Sequence, residues 1–114
     1  MKTRPITLSQ ARSIREKQLE YLNGLEQRLS QQTDSLEQRN RLARSYAQIG
    51  ELAKAETHLR AVLTQDSTNF VAYNNLGNVY FLQSYQDSIR AGHLISQAEA
   101  TYFKALGHGR SKDD

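Results

Sequence analysis

The sequence predicts an all-α fold, and three observations carry that prediction. One proline and six glycines are all that interrupt 114 residues, so long stretches lack the punctuation of turns. Apolar residues recur three and four apart, as at Leu22, Leu25 and Leu29, which is the stripe of an amphipathic helix. Finally, "RLARSYAQIG" from residue 41 and "NLGNVYFLQS" from residue 75 align at a shift of 34, an internal repeat in the range of stacked helical units.

The bulk properties narrow the function classes. With 38 % hydrophobic and 24 % charged residues, the chain fits one modest globular domain. It has no cysteine, hence no disulfide, thiolate metal site or cysteine nucleophile. No apolar run approaches the roughly 20 residues that span a bilayer, so no membrane role is expected. The opening "MKTRPITLSQ" has basic residues but no apolar segment behind them. A cytoplasmic location is the expectation, or a periplasmic one if a signal peptide has been removed. The net charge of +3 is uneven: residues 1–44 hold nine Lys/Arg against five Asp/Glu, and the remainder six against seven. A basic first half suits an acidic partner.

The helices follow in order. Thr7 with Gln10 forms a capping-box pattern after Pro5, opening a first helix over 8–31. The pair Asn23-Gly24 is its one weak point, and a turn there, giving two helices, is the alternative. Thr33, Asp34 and Ser35 offer caps for a helix over 36–49, and Gly50 follows where a left-handed residue ends a helix. A third helix over 52–64 carries Leu52, Ala55, Leu59, Val62 and Leu63 on one face. "QDSTN" is a loop capping a fourth over 70–83, and a fifth runs over 88–106.

At the shift of 34, Leu42 meets Leu76, Ala43 meets Gly77, and Tyr46 meets Tyr80. With Gly50, Ala55, Leu59, Val62 and Leu63, this pattern resembles the tetratricopeptide repeat family. The resemblance implies a right-handed α-solenoid of antiparallel helix pairs, with a small residue where two helices approach and a Tyr beside it. Residues 36–69 form the first repeat and 70–107 the second, after an N-terminal extension (1–35) that is mostly one long helix. The second-helix features return as Ala98, Tyr102, Ala105 and Leu106. Eighteen residues separate Tyr80 from Ala98, against nine from Tyr46 to Ala55. A nine-residue insertion therefore falls within 84–97, part of which extends the last helix backwards. Residues 108–114 read as a disordered tail.

The fourth helix carries a second, amide-rich face: Val71, Asn74, Asn75, Asn78 and Leu82 recur at helical spacing opposite the packing stripe of Tyr73, Leu76, Gly77 and Tyr80. Primary amides donate and accept, so they can hold an extended peptide backbone without reading its sequence. The resemblance implies that this face lines a concave groove and is similar to the asparagine ladder of O-linked N-acetylglucosamine transferases. The corresponding face of the second helix reads Glu37, Asn40, Arg41, Arg44 and Gln48. Guanidinium groups bind carboxylates through forked hydrogen bonds, as in the similar carboxylate-clamp modules of the family.

The expected function is a non-enzymatic adaptor or scaffold module that binds an acidic or carboxylate-bearing segment. Its expected contacts are Arg41, Arg44, Gln48, Val71, Asn74, Asn75, Asn78, Phe81 and Leu82. No catalytic, cofactor or metal residues are expected: His58, His93 and His108 lack any zinc-type spacing, and no phosphate loop occurs. His58 reads as a packing residue beside Glu56. Nucleic-acid binding is disfavoured, because the basic residues are not interleaved with aromatics. The alternative is a self-assembling helical module whose insert, within 84–97, and first helix mediate oligomerisation. Two repeats are fewer than the three such arrays usually need, and Ile95, Tyr102, Phe103 and Leu106 leave an apolar face on the last helix, so a homodimer is expected.

Overall fold

A computed structural model describes residues 5–30 and 35–109. Side-chain caps open α1, α2 and α4, and a glycine closes α2. Thr7 N–H donates to Gln10 Oε1 (2.9 Å) while Gln10 N–H donates to Thr7 Oγ1 (3.1 Å), the reciprocal capping box. It opens α1, Leu8–Ser30, which continues unbroken through Asn23 and Gly24. The alternative of a turn there is not what forms. Ser35 opens α2, Leu36–Gln48, by accepting the N–H of Gln38; Thr33 and Asp34, the other expected caps, lie outside the described residues.

Gly50 ends α2 with φ +84°. Its N–H donates to Ala47 O (3.1 Å) and that of Glu51 to Tyr46 O (2.9 Å), so the last carbonyls are satisfied and the chain reverses. α3, Leu52–Gln65, then lies against α2. Asn69 caps α4, Phe70–Gln86. That helix runs three residues past the expected 83, because no breaker occurs before Asp87. Asp87 accepts from the N–H (3.1 Å) and Nε (2.6 Å) of Arg90, and α5, Ala91–Gly109, follows. Helix α5 takes in 108 and 109, which were expected in the tail; the rest of that tail lies outside the described residues.

The described residues form no strand; five helices pack as neighbours, α1 on α2, α2 on α3, α3 on α4 and α4 on α5, with α2 also meeting α4. Tyr46, Leu59, Val62 and Val79 are fully enclosed at the centre. Between α3 and α5, α4 buries two sides of itself: Ala72 and Val79 are buried together with Leu76 and Tyr80. That double coverage leaves its amide-bearing side for another use. None of the described helices is long and apolar enough to cross a membrane.

Candidate functional site

The site begins with a cap. Asn69 Oδ1 accepts the N–H of Ala72 (2.9 Å), and its Nδ2 donates to Asp66 Oδ2 (3.2 Å). These two bonds fix which end of the Asn69 amide is the oxygen. The same oxygen accepts from Asn40 Nδ2 (3.3 Å), tying α2 to the start of α4. Asn40 therefore turns its own carbonyl away from Asn69. Asn40 is 5 % exposed, and its Oδ1 is buried without a hydrogen-bond partner among the described residues. Such an orphan acceptor costs about 1–3 kcal/mol.

Asn40 lies at the bottom of an open concavity of about 440 Å³ between α2 and α4. Glu37, Arg41 and Arg44 form the α2 wall, and Asn69, Val71, Asn74 and Asn75 the α4 wall. Arg41 pairs with Glu37 at 2.8 Å across one helical turn, with both side chains about three-quarters exposed. An exposed pair of this kind is worth only about 0.3–0.5 kcal/mol, so Arg41 is readily released to another carboxylate. Arg44 has no ion-pair partner among the described residues. The concavity is thus amide-floored, with two guanidinium groups and one carboxylate at its edge.

Of the residues expected from sequence, Arg41, Arg44, Val71, Asn74 and Asn75 come together here; four others do not. Gln48 lies seven residues beyond Arg41, about 10 Å along the helix, where α1 is the neighbour. There it borders a separate hollow with Ile14, Arg15 and Gln18. The carbonyl of Asn78 accepts the Tyr102 hydroxyl of α5. Phe81 and Leu82 are exposed but do not line the concavity, and Phe81 packs edge-on against Tyr85 at 5.3 Å. Asn40, which the face pattern contained without singling it out, is the residue that sequence reasoning missed. The signal was available in the cap at Asn69, but only the meeting of α2 and α4 turns it into a groove floor.

A second polar cluster surrounds His58, which is buried as its packing place predicts. Its partner is Glu26 of α1, not Glu56: His58 Nε2 lies 3.0 Å from Glu26 Oε1, and Nδ1 lies 3.3 Å from Arg39 Nη1. Arginine can only donate, so Nδ1 accepts and Nε2–H donates to Glu26. The Tyr46 ring stacks on His58 at 5.8 Å, and its hydroxyl lies 2.8 Å from Glu26 Oε2 and 2.7 Å from Asn23 Oδ1. Burial holds His58 below its ordinary value despite the carboxylate. Burial pushes Glu26 up, but the Tyr46 hydroxyl and the charges of His58 and Lys54 outweigh it, so Glu26 sits below its ordinary value. Burial first, then Glu26, raises Tyr46. Every group in this cluster is committed to another helix; its chemistry is that of a fastening between α1 and the α2–α3 hairpin.

Among the described residues no three His, Asp or Glu side chains gather to hold a metal ion. No family model, curated protein or solved structure matches the chain.

Proposed function

We propose that the chain is a non-enzymatic interaction module, a right-handed solenoid fragment of the tetratricopeptide type, that holds an extended acidic segment of another protein between α2 and α4. The observation that carries this reading is the concavity in which Asn74 and Asn75 of α4 stand across from Arg41 and Arg44 of α2. The amides of Asn74, exposed, and Asn75, half-buried, donate to and accept from a passing peptide backbone. Arg41 and Arg44 then meet side-chain or terminal carboxylates at the edge. A second reading, self-association, has its own support in α5, where Phe103 is 72 % and Leu106 60 % exposed.

The test is fluorescence anisotropy with two labelled decapeptides, one of alternating Asp and Ser and one of alternating Lys and Ser. The acidic probe binds, weakens as salt rises, and weakens about tenfold with Arg44→Ala, while the melting temperature stays unchanged. Equal affinity for both probes, or none for either, refutes the groove. Light scattering at micromolar concentration separately tests the second reading, which a 13.0 kDa species would reject.

A further inference from the structure

Arg41 stands between two concavities, not one. On its other side, between the end of α1 and α2, lies a hollow of about 340 Å³ whose wall is apolar, made of Leu25, Leu29 and Leu42, with Ser45 beside them and Arg28 at the edge. The size is at the lower end of ligand sites, about 300–1,000 Å³, and suits one bulky side chain rather than a whole ligand. Leu42 is core, but Leu25 and Leu29 are only partly buried, so an occupant would remove apolar surface from water. Arg28, like Arg44, has no ion-pair partner among the described residues. The apolar hollow is therefore bordered by two cations, Arg28 and Arg41, of which Arg41 also lines the amide-floored groove.

We infer that the site reads a composite signal: one large aliphatic side chain seated against Leu25 and Leu29, flanked by acidic residues held by Arg28, Arg41 and Arg44. This rests on the groove reading above and adds the selectivity that amides lack, since amides hold any backbone alike. Charge complementarity favours an acidic peptide as the occupant. Three guanidinium groups border the two concavities against one carboxylate, Glu37, which Arg41 already engages. The helix α1 is what makes the hollow, so its role extends beyond covering the end of the hairpins.

The experiment compares two labelled heptapeptides with Asp on both sides of a central residue, Leu in one and Ser in the other. The Leu probe binds the intact chain about tenfold more tightly. Ser45→Leu, which fills the hollow, and Leu29→Gln, which makes its wall polar, each erase that preference and leave the Ser probe unchanged. Thermal melts identify any variant that has lost its fold, and the other variant then decides. Equal binding of both probes, weakened alike by Arg44→Ala, overturns the composite signal and leaves the groove standing. A preference that survives both substitutions also overturns it. Absence of binding by either probe at millimolar concentration overturns the groove as well.

Discussion

The hairpins α2–α3 and α4–α5 share a spacing and differ where their helices touch. In the first, Ala43 is fully buried and the matching place on the second helix is Leu59, also fully buried. In the second, Gly77 replaces Ala43 and Tyr102 stands at the place of Leu59. A Cβ built on Gly77 would lie 2.7 Å from the Tyr102 ring, closer than real side chains come. The two changes compensate: the larger ring is admitted because the methyl opposite is gone. The tyrosines differ in a related way. The Tyr46 hydroxyl lies within 2.8 Å of Asn23 Oδ1 and Glu26 Oε2 on α1, whereas that of Tyr80 accepts from Arg60 of α3. The α2–α3 hairpin is fastened through polar groups to α1, whereas α4 and α5 are joined by the close approach of Gly77 to Tyr102. A shared pattern therefore fixes the core, and the departures from it decide what each hairpin is joined to.

The sharpest way to break the comparison is Gly77→Ala. Overpacking costs about 1–3 kcal/mol, displacing Tyr102 also strains its bond to Asn78, and the better helix propensity of Ala returns about 1 kcal/mol. We expect a net loss of about 2 kcal/mol in urea unfolding. In a Tyr102→Leu background the same change becomes neutral or stabilising, because the ring is absent and Ala43–Leu59 geometry is restored. A loss of equal size in both backgrounds would show that the two positions are not coupled.

The next effect is smaller. Tyr46→Phe removes a hydroxyl whose one proton lies within reach of a carboxylate, Glu26, and should cost about 1 kcal/mol. Tyr80→Phe releases only Arg60, whose side chain is 59 % exposed, and should cost less than about 0.5 kcal/mol. Paired denaturant curves measure the difference, and an equal cost would remove the asymmetry between the hairpins.

The smallest effect is in pH. His58 is held below its ordinary 6.5 in the folded chain, so the unfolded chain binds more protons just below that pH. Its contribution to stability is full above pH 6.5 and is lost as pH falls through the folded value. Glu26, held below its ordinary 4.5, adds a further loss as pH falls below that point. Melting temperatures followed downward from about pH 7 should decline, and His58→Gln should flatten the first part of the decline. A variant that declines as steeply as the parent would place the sensitivity elsewhere.

Much of the fold was legible because it is written in local chemistry. Thr7 with Gln10, Ser35, Asn69 and Gly50 each act within a few residues of their own position. The small-residue and tyrosine places of the two hairpins are set by a spacing that survives in the letters. Helix α4 ends at Gln86 and not at 83, and α5 starts at Ala91 and not at 88, because Asp87 closes one helix and accepts the N–H of Arg90 ahead of the next. The Glu26–His58 pair spans 32 residues and involves a helix with no repeat partner, so no pattern announces it. Asn74 and Asn78 sit on the same helix face and look equivalent in sequence. Only the position of α5 after the longer connection gives Asn78 to Tyr102 and leaves Asn74 to the groove. The amide floor was half legible: the asparagines were visible, but the oxygen left over at Asn40 depends on a cap in another helix.

The central claim is that the concavity between α2 and α4, not the outer side of α5, is where this chain meets its partner. Amide chemical-shift mapping with the acidic, Leu-centred heptapeptide tests it most directly. The account predicts shifts at residues 37–45 and 69–75, extending to Leu25 and Leu29, with Ile95, Phe103 and Leu106 unmoved. Shifts concentrated on α5, with Asn40, Asn74 and Asn75 unmoved, would contradict it.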